Sequence, residues 1–186
     1  MAGEISLKVD IHESAGEAGW FKLMLAKRIM SKMTLYVGIP EQNSGAGREG
    51  KDINNVQLAY IHSQGSAKMG IPARPFIEPA IELEENREKI AKQFKKAFEA
   101  ALNLDRGGAF EALNKAGMQA EKAVKNYMGS DALEPNAPIT LHGGWMMNKV
   151  SHKPFYVKGK GEPSRPLIDT GELRKAVTYV IEGGDK

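Results

Sequence analysis

The chain contains no cysteine among its 186 residues, and this absence excludes disulfide bonds and thiolate metal sites. It also lacks any apolar run of about 18 residues, the length that a membrane-spanning helix needs. Its first residues alternate apolar and charged side chains, which is not the pattern of a signal peptide. We therefore expect a protein that has no contact with a membrane and is not exported by the usual route.

The net charge is small, but it is unevenly distributed. The whole chain carries +3, which is too little to argue for nucleic-acid binding. Residues 142–175 hold seven lysines and arginines against three acidic residues, a surplus larger than that of the whole chain. Two interpretations remain open: a solvated loop, or a surface that meets acidic partner subunits or DNA.

Hydrophobic periodicity predicts an α+β fold. Strands are expected at residues 5–11, 33–39 and 173–181, and helices at 16–31, 54–63, 77–104 and from Gly107–Gly108 to 128. Because this order contains no βαβ units, we expect a small antiparallel or mixed sheet packed against a long helix and a helical hairpin, with extended loops. The length of the chain fits a single domain over residues 1–186.

The helices have identifiable apolar faces. In the first helix the face predicted to be buried consists of Trp20, Phe21, Leu23, Met24, Leu25 and Ile29. In the long helix it consists of Ile77, Ile81, Ile90, Phe94, Phe98, Ala101 and Leu102. On the following helix the small residues Gly117 and Ala120 would let another backbone approach, either that of the preceding helix or that of a partner subunit.

Two segments show no regular periodicity. Residues 41–52 are rich in glycine and are expected to form a mobile loop, but they lack the Gly-Lys-Ser/Thr ending of a phosphate-binding loop. Residues 129–165 are expected to form a long extended loop. This segment contains the large apolar residues Trp145, Met146, Met147, Phe155 and Tyr156, which need something to cover them. We expect it to order against a neighbouring subunit on assembly.

The sequence gives little support for enzymatic chemistry. The string Leu167 to Gly171 resembles the Asp-Thr-Gly turn of aspartic proteases, but it occurs once and only residues 172–186 follow it. An aspartate that fixes a tight turn is the simpler interpretation of Asp169. None of the four histidines lies three or four residues from another, so no metal-ligand spacing is present. We predict no catalytic residues, no cofactor and no metal site.

Two motifs together resemble one protein family. The first is Asn-Val-Gln-Leu-Ala-Tyr-Ile-His-Ser-Gln-Gly-Ser at 55–66, continuing as Gly-Ile-Pro-Ala-Arg-Pro-Phe-Ile at 70–77. The second is Arg-Pro-Leu-Ile-Asp-Thr-Gly-Glu-Leu-Arg at 165–174. In this order and spacing they resemble the neck and tail-completion proteins (virion morphogenesis family) of long-tailed bacteriophages. Where that family usually has a short basic link, this chain carries about 25 residues before Pro166.

The resemblance implies a structural subunit of the head–tail connector, located in the neck of the virion and assembled in the host cytoplasm. It would form a homo-oligomeric ring, a hexamer, that completes the tail, joins it to head-closure proteins and to tube or terminator proteins, and surrounds the DNA passage. Two alternatives remain. The chain could be a tail-terminator ring protein, or a cytoplasmic nucleic-acid-binding protein that uses its basic C-terminal third.

The candidate assembly residues come from these motifs and from the apolar and basic loop. They are Arg74, Phe76, Trp145, Phe155, Tyr156, Lys158, Lys160, Asp169 and Arg174. Pro72 and Pro75 stiffen the chain around Arg74, whose planar fork suits a carboxylate or backbone carbonyls of its own subunit or of a neighbour. Phe76 is expected to anchor the start of the long helix in the core.

Overall fold

The α+β prediction is confirmed by the computed structural model, which describes residues 16–44, 53–67, 70–148, 151–161, 165–167 and 171–183. Its elements in chain order are α1 (Glu17–Met30), β1 (Thr34–Gly38), a 3₁₀ turn (Glu41–Asn43), α2 (Asn55–Gln64), α3 (Glu78–Glu82), α4 (Glu84–Leu102), α5 (Arg106–Met128), α6 (Pro138–His142), β2 (Gly144–Met147), β3 (Pro154–Val157), α7 (Glu172–Ala176) and β4 (Thr178–Glu182). The strand predicted at residues 5–11 lies outside the described residues.

The predicted helical hairpin is formed by α4 and α5, which pack along each other after a short turn. Asp105 begins α5, because its side chain accepts a hydrogen bond of 2.8 Å from the backbone N–H of Gly108. On α4 the Lys89 ammonium hydrogen-bonds Glu85 and lowers the pKa of that carboxyl group. No described helix is long and apolar enough to cross a membrane.

Strands β1 and β4 pair antiparallel and lie on the helical hairpin. Val37 of β1 and Val177, just before β4, are buried together with Val124 of α5 in the main core cluster. Tyr179 of β4 packs its ring directly against the Cα of Gly117, since a Cβ at that glycine would overlap the ring. The small residue at 117 therefore accommodates an aromatic side chain of the sheet.

Replacing Gly117 with alanine should lower the free energy of unfolding by about 1–3 kcal/mol, because the added methyl group displaces the Tyr179 ring from a packed core. The gain in helix propensity, about 1 kcal/mol, opposes this loss. Urea denaturation measures the difference. The matched control is Gly107→Ala at the exposed start of the same helix, where a Cβ meets only ordinary contacts and stability should stay level or rise. Equal stabilities for the two variants would contradict this packing.

The prediction of one continuous helix over residues 77–104 is wrong. The chain leaves helical geometry at Leu83, whose ψ is 126°, and α3 and α4 are separate helices. Asn86 donates a hydrogen bond of 2.8 Å from its side chain to the Ala80 carbonyl at the end of α3. The break has a packing cause. Ile81 and Ile90 are both buried, but nine residues span two and a half turns, so one straight helix would place them on opposite faces.

The C-terminal strand is shorter than predicted, because residues 172–176 form the helix α7 and the strand begins at Thr178. Gly171 precedes α7 in the left-handed conformation, with φ of 74°. Leu173 and Ala176 of α7 are buried, as two residues on one face of a short helix should be. Within β4 the side chains alternate as in a half-buried strand, since Val180 is exposed and its neighbours Tyr179 and Ile181 are partly buried.

The prediction of one long extended loop over residues 129–165 is wrong. These residues contain α6 and the antiparallel hairpin of β2 and β3, in which Trp145 pairs with Tyr156 and Met146 with Phe155. Gly143, with φ of 75°, ends α6 and lets the chain turn directly into β2. The prediction from the sequence missed this hairpin because both faces of its strands are apolar, so that apolar and polar residues do not alternate.

Two smaller predictions also change. Trp20, Phe21 and Met24 of α1 are exposed, because α1 packs on α4 through its C-terminal half around the buried Ala26. The predicted mobile loop 41–52 begins with an ordered 3₁₀ turn, in which the Asn43 side chain donates a hydrogen bond of 3.2 Å to the Ala176 carbonyl. The rest of that loop, residues 45–52, lies outside the described part of the chain.

Candidate assembly interface

The two sequence motifs meet near the C-terminal end of α5. Arg74 of the first motif donates to the carbonyls of Glu134 (2.6 Å) and Pro135 (2.8 Å), just beyond that helix. Arg174 of the second motif donates from Nε to the carbonyl of Lys125 in its last turn, at 2.8 Å. Cations such as Arg174 are favoured at the C-terminal end of a helix, because its last carbonyls lack partners within the helix. Both arginines thus bind backbone carbonyls of their own chain.

The Arg74 guanidinium is held inside the protein. Its residue is 7% exposed, and burial lowers the pKa of the guanidinium while the nearby Glu134 carboxylate raises it. The group stays charged, since arginine does not lose its proton in proteins. Its backbone N–H donates to the His62 carbonyl at the end of α2, at 2.7 Å. One residue therefore connects α2, the segment before α3 and the segment that leads to the hairpin.

Phe76 is a core residue, as predicted. It is 1% exposed and belongs to the main hydrophobic cluster with Ile77, Val37 and Val124. Gly65, at the end of α2, has φ of 70° and lies so close to Ala73 that a Cβ would come within 2.7 Å of the Ala73 backbone nitrogen. The glycine and the phenylalanine of the first motif therefore serve the packing of this part of the fold.

The hairpin Gly144–Val157, called the apolar hairpin from here on, exposes most of its side chains. Trp145 is 72% exposed and Tyr156 is 59% exposed, and their rings meet edge to face with centroids 5.5 Å apart. Met147 lies on the same face as this pair, while Met146 and Phe155 lie on the opposite face and are also exposed. Both faces of the apolar hairpin are consequently uncovered.

The base of the apolar hairpin is fixed to α6. The backbone N–H of Lys160 donates to the Thr140 carbonyl and that of Gly161 to the Leu141 carbonyl, both at 2.9 Å. Gly159 lies against the backbone of His142 and Gly143, where no side chain would fit. Because a two-stranded hairpin is marginally stable alone, this attachment defines its position while leaving its apolar faces to be covered from outside.

A second uncovered apolar surface lies beside α2. We call it the α2–α3 groove; it has a volume of about 620 Å³ and is lined mainly by apolar side chains, among them Ile53, Val56, Tyr60, Phe76 and Ile77. The start of α2 is fixed by a capping box, in which Asn54 and Gln57 each bind the backbone of the other with their side chains. Val56 and Tyr60 therefore face the groove from a rigid helix.

Lys158 and Lys160 lie exposed beside the base of the apolar hairpin, so the structure brings these two candidates together with Trp145, Phe155 and Tyr156. It places Arg74, Phe76 and Arg174 elsewhere, inside the fold or bound to it. Asp169 lies outside the described residues.

The sequence-based reasoning missed the groove, because the spacing of Val56, Ala59 and Tyr60 on α2 is typical of a buried helix face. It also missed the hairpin as a defined element. Two signals would have indicated it: the apolar triplets Trp145–Met147 and Phe155–Val157, and the glycines that bracket them. The exposed face of α2 leaves no such signal, since the same residue types line cores and interfaces alike.

Within the described ranges, no three histidine, aspartate or glutamate side chains come together in a way that could hold a metal ion. The pKa values of Arg74, Glu85 and Glu111 are lowered, and the two carboxylates pair with lysines on exposed helix faces. No protein-family model, no curated protein and no solved structure matches this chain.

Proposed function

We propose that this chain is a structural subunit of a bacteriophage head–tail connector that assembles into a ring in the neck of the virion. The observation that carries the proposal is the apolar hairpin, a fixed projection with Trp145, Met147 and Tyr156 on one face and Met146 and Phe155 on the other, all exposed. Burying a large apolar side chain contributes about 1.5–3 kcal/mol, so covering this projection would stabilise an assembly strongly.

The geometry of the two motifs also supports a structural role. Arg74 and Arg174 are held by backbone carbonyls of their own chain, and Phe76 lies in the core. The motifs therefore stabilise the part of the fold from which the apolar hairpin projects. A ring subunit has this need, because every copy must present the same projection in the same orientation to the next.

Imaging of the purified protein by negative-stain electron microscopy tests the proposal. We expect closed rings with hexameric symmetry. Trypsin should cut the isolated subunit after Lys158 and Lys160, which are exposed in the segment that follows β3, and should cut the ring far more slowly. The control site is Lys32 in the exposed turn between α1 and β1, which a hairpin-mediated ring leaves accessible. A protein that stays monomeric at every concentration would contradict the proposal, as would equal cutting of subunit and ring at the hairpin.

One observation favours the alternative function of nucleic-acid binding. The exposed rings of Trp145 and Tyr156 stand beside Lys153 and Lys158, and single-stranded nucleic acids bind surfaces that combine aromatic rings with positive charge. A steep loss of DNA affinity with rising salt, measured on the isolated subunit, would support this alternative. Ring formation by a protein that has no DNA affinity would support the connector.

A further inference from the structure

We infer that the apolar hairpin of one subunit docks in the α2–α3 groove of the next copy of this chain. This inference rests on the proposed ring and names the contact that would build it. The two surfaces belong to different parts of the subunit: the hairpin follows α6, whereas the groove lies between α2 and the start of α3. None of the hairpin residues that the structure describes lines the groove, so neither described surface covers the other within one subunit.

The apolar character of the two surfaces matches. The groove is a concave surface in which Ile53, Val56 and Tyr60 remain exposed. The hairpin carries exposed apolar side chains on both faces. The groove, of about 620 Å³, has room for side chains of one face, and we assign to it the face that carries Trp145 and Met147.

The charges around the two surfaces are opposite. Residues 144–161 contain four lysines and no aspartate or glutamate. The described acidic residues on the elements around the groove are Glu41, Glu78 and Glu82, and the one arginine there, Arg74, is buried against backbone carbonyls. Glu41 and Glu78 lie within two residues of the lining residues Ile39 and Ile77, so that we infer an acidic rim on this side of the groove. Docking would bring the hairpin lysines to this rim, which favours the encounter and sets its orientation.

The same charges disfavour the symmetric alternatives. Two hairpins packed against each other would bring their lysines together, and two grooves would bring their glutamates together. A contact between hairpin and groove is heterologous: each subunit gives one surface and receives the other. Repetition of such a contact closes into a ring when the rotation between subunits allows it.

Disulfide cross-linking between single-cysteine variants tests the inference, since the natural chain contains no cysteine. Tyr60→Cys places a thiol in the groove, and Met147→Cys places one on the hairpin; both positions are exposed, so the fold should tolerate them. Mixed in equal amounts and oxidised, the two variants should form a heterodimer. Its formation should be on the order of a hundredfold faster than for unspecific collisions, because docking raises the local thiol concentration.

The matched control replaces Tyr60→Cys with Met118→Cys, an equally exposed position on α5. Cross-linking at the same rate with Met118→Cys would overturn the inference. So would cross-linking of Met147→Cys alone at the rate of the mixture, since it would mean that hairpins meet hairpins. Rings that form without any cross-link between Tyr60→Cys and Met147→Cys would overturn the inference and leave the proposed function standing. Failure of the natural chain to self-associate would refute both.

Charge reversal gives a second readout with the same cysteines. Lys153→Glu and Lys158→Glu on the hairpin should slow the cross-linking, because acidic groups then face an acidic rim. Glu78→Lys and Glu82→Lys in the groove subunit should restore it. The restoration separates docking from misfolding, since two misfolded variants would not restore the cross-linking rate when they are mixed. Its failure would overturn the proposed orientation.

Discussion

Replacing Phe76 with alanine should lower the free energy of unfolding by about 3–5 kcal/mol, the largest stability loss that we expect from one substitution in this chain. The side chain is fully buried in the main core cluster, which also contains Val37 of β1 and Val124 of α5. Its removal leaves a cavity that surrounding side chains fill only in part. Chemical denaturation followed by circular dichroism measures the loss.

The matched control is Phe21→Ala on α1, where the same change of side chain occurs at a position that is 64% exposed. Its effect should stay within about 0.5 kcal/mol, since surface substitutions of this kind rarely exceed that value. Comparable losses for the two variants would mean that Phe76 is not a core residue. A loss at Phe21 alone would mean that the exposed face of α1 is covered in solution.

Replacing Arg74 with alanine should cost about 2–4 kcal/mol, because two charge-assisted hydrogen bonds are lost and the carbonyls of Glu134 and Pro135 remain without their donor. The variant should also release the segment that leads to α6 and the hairpin. Hydrogen exchange at residues 134–142, together with denaturation, measures both effects. We expect the amides of residues 134–142 to exchange faster than in the natural chain, and any acceleration in α4 to be smaller.

Arg74→Lys should recover less than half of the loss, since an ammonium group keeps the charge but has no planar fork to reach both carbonyls. The control is Arg106→Ala at the exposed start of α5, with an expected effect within about 0.5 kcal/mol. If Arg74→Lys matched the natural chain in stability, charge rather than geometry would be the source of the effect. Unchanged exchange at residues 134–142 in Arg74→Ala would contradict the proposed anchoring.

The fold was predictable from sequence where one face of an element is buried. β1 and α5 lie close to their predicted bounds because periodicity reports such faces directly. The break at Leu83 was also encoded, since Ile81 and Ile90 cannot share one face of a straight helix. Residues of high helix propensity flank Leu83 on both sides, and for this reason the sequence predicts a continuous helix.

The candidate site was predictable in part. The residues Trp145, Phe155 and Tyr156 were identified correctly as uncovered, but their hairpin was not, because a strand that is apolar on both faces has no period of two. The exposure of Trp20 and Phe21 was also missed. Their spacing on α1 fits a buried stripe, and only the position of α1 on α4 decides which part of that stripe is covered.

The apolar hairpin has only two strands, so each strand also presents an unpaired edge. Such edges invite further strands to add without limit, which is how open-ended fibrils grow. Pro154 offers no backbone N–H to an incoming strand, and Lys153 and Lys158 place charge at both ends of β3. The edge of β3 is thereby protected against the addition of a further strand, and contacts of the hairpin through its side chains are favoured over growth of a fibril.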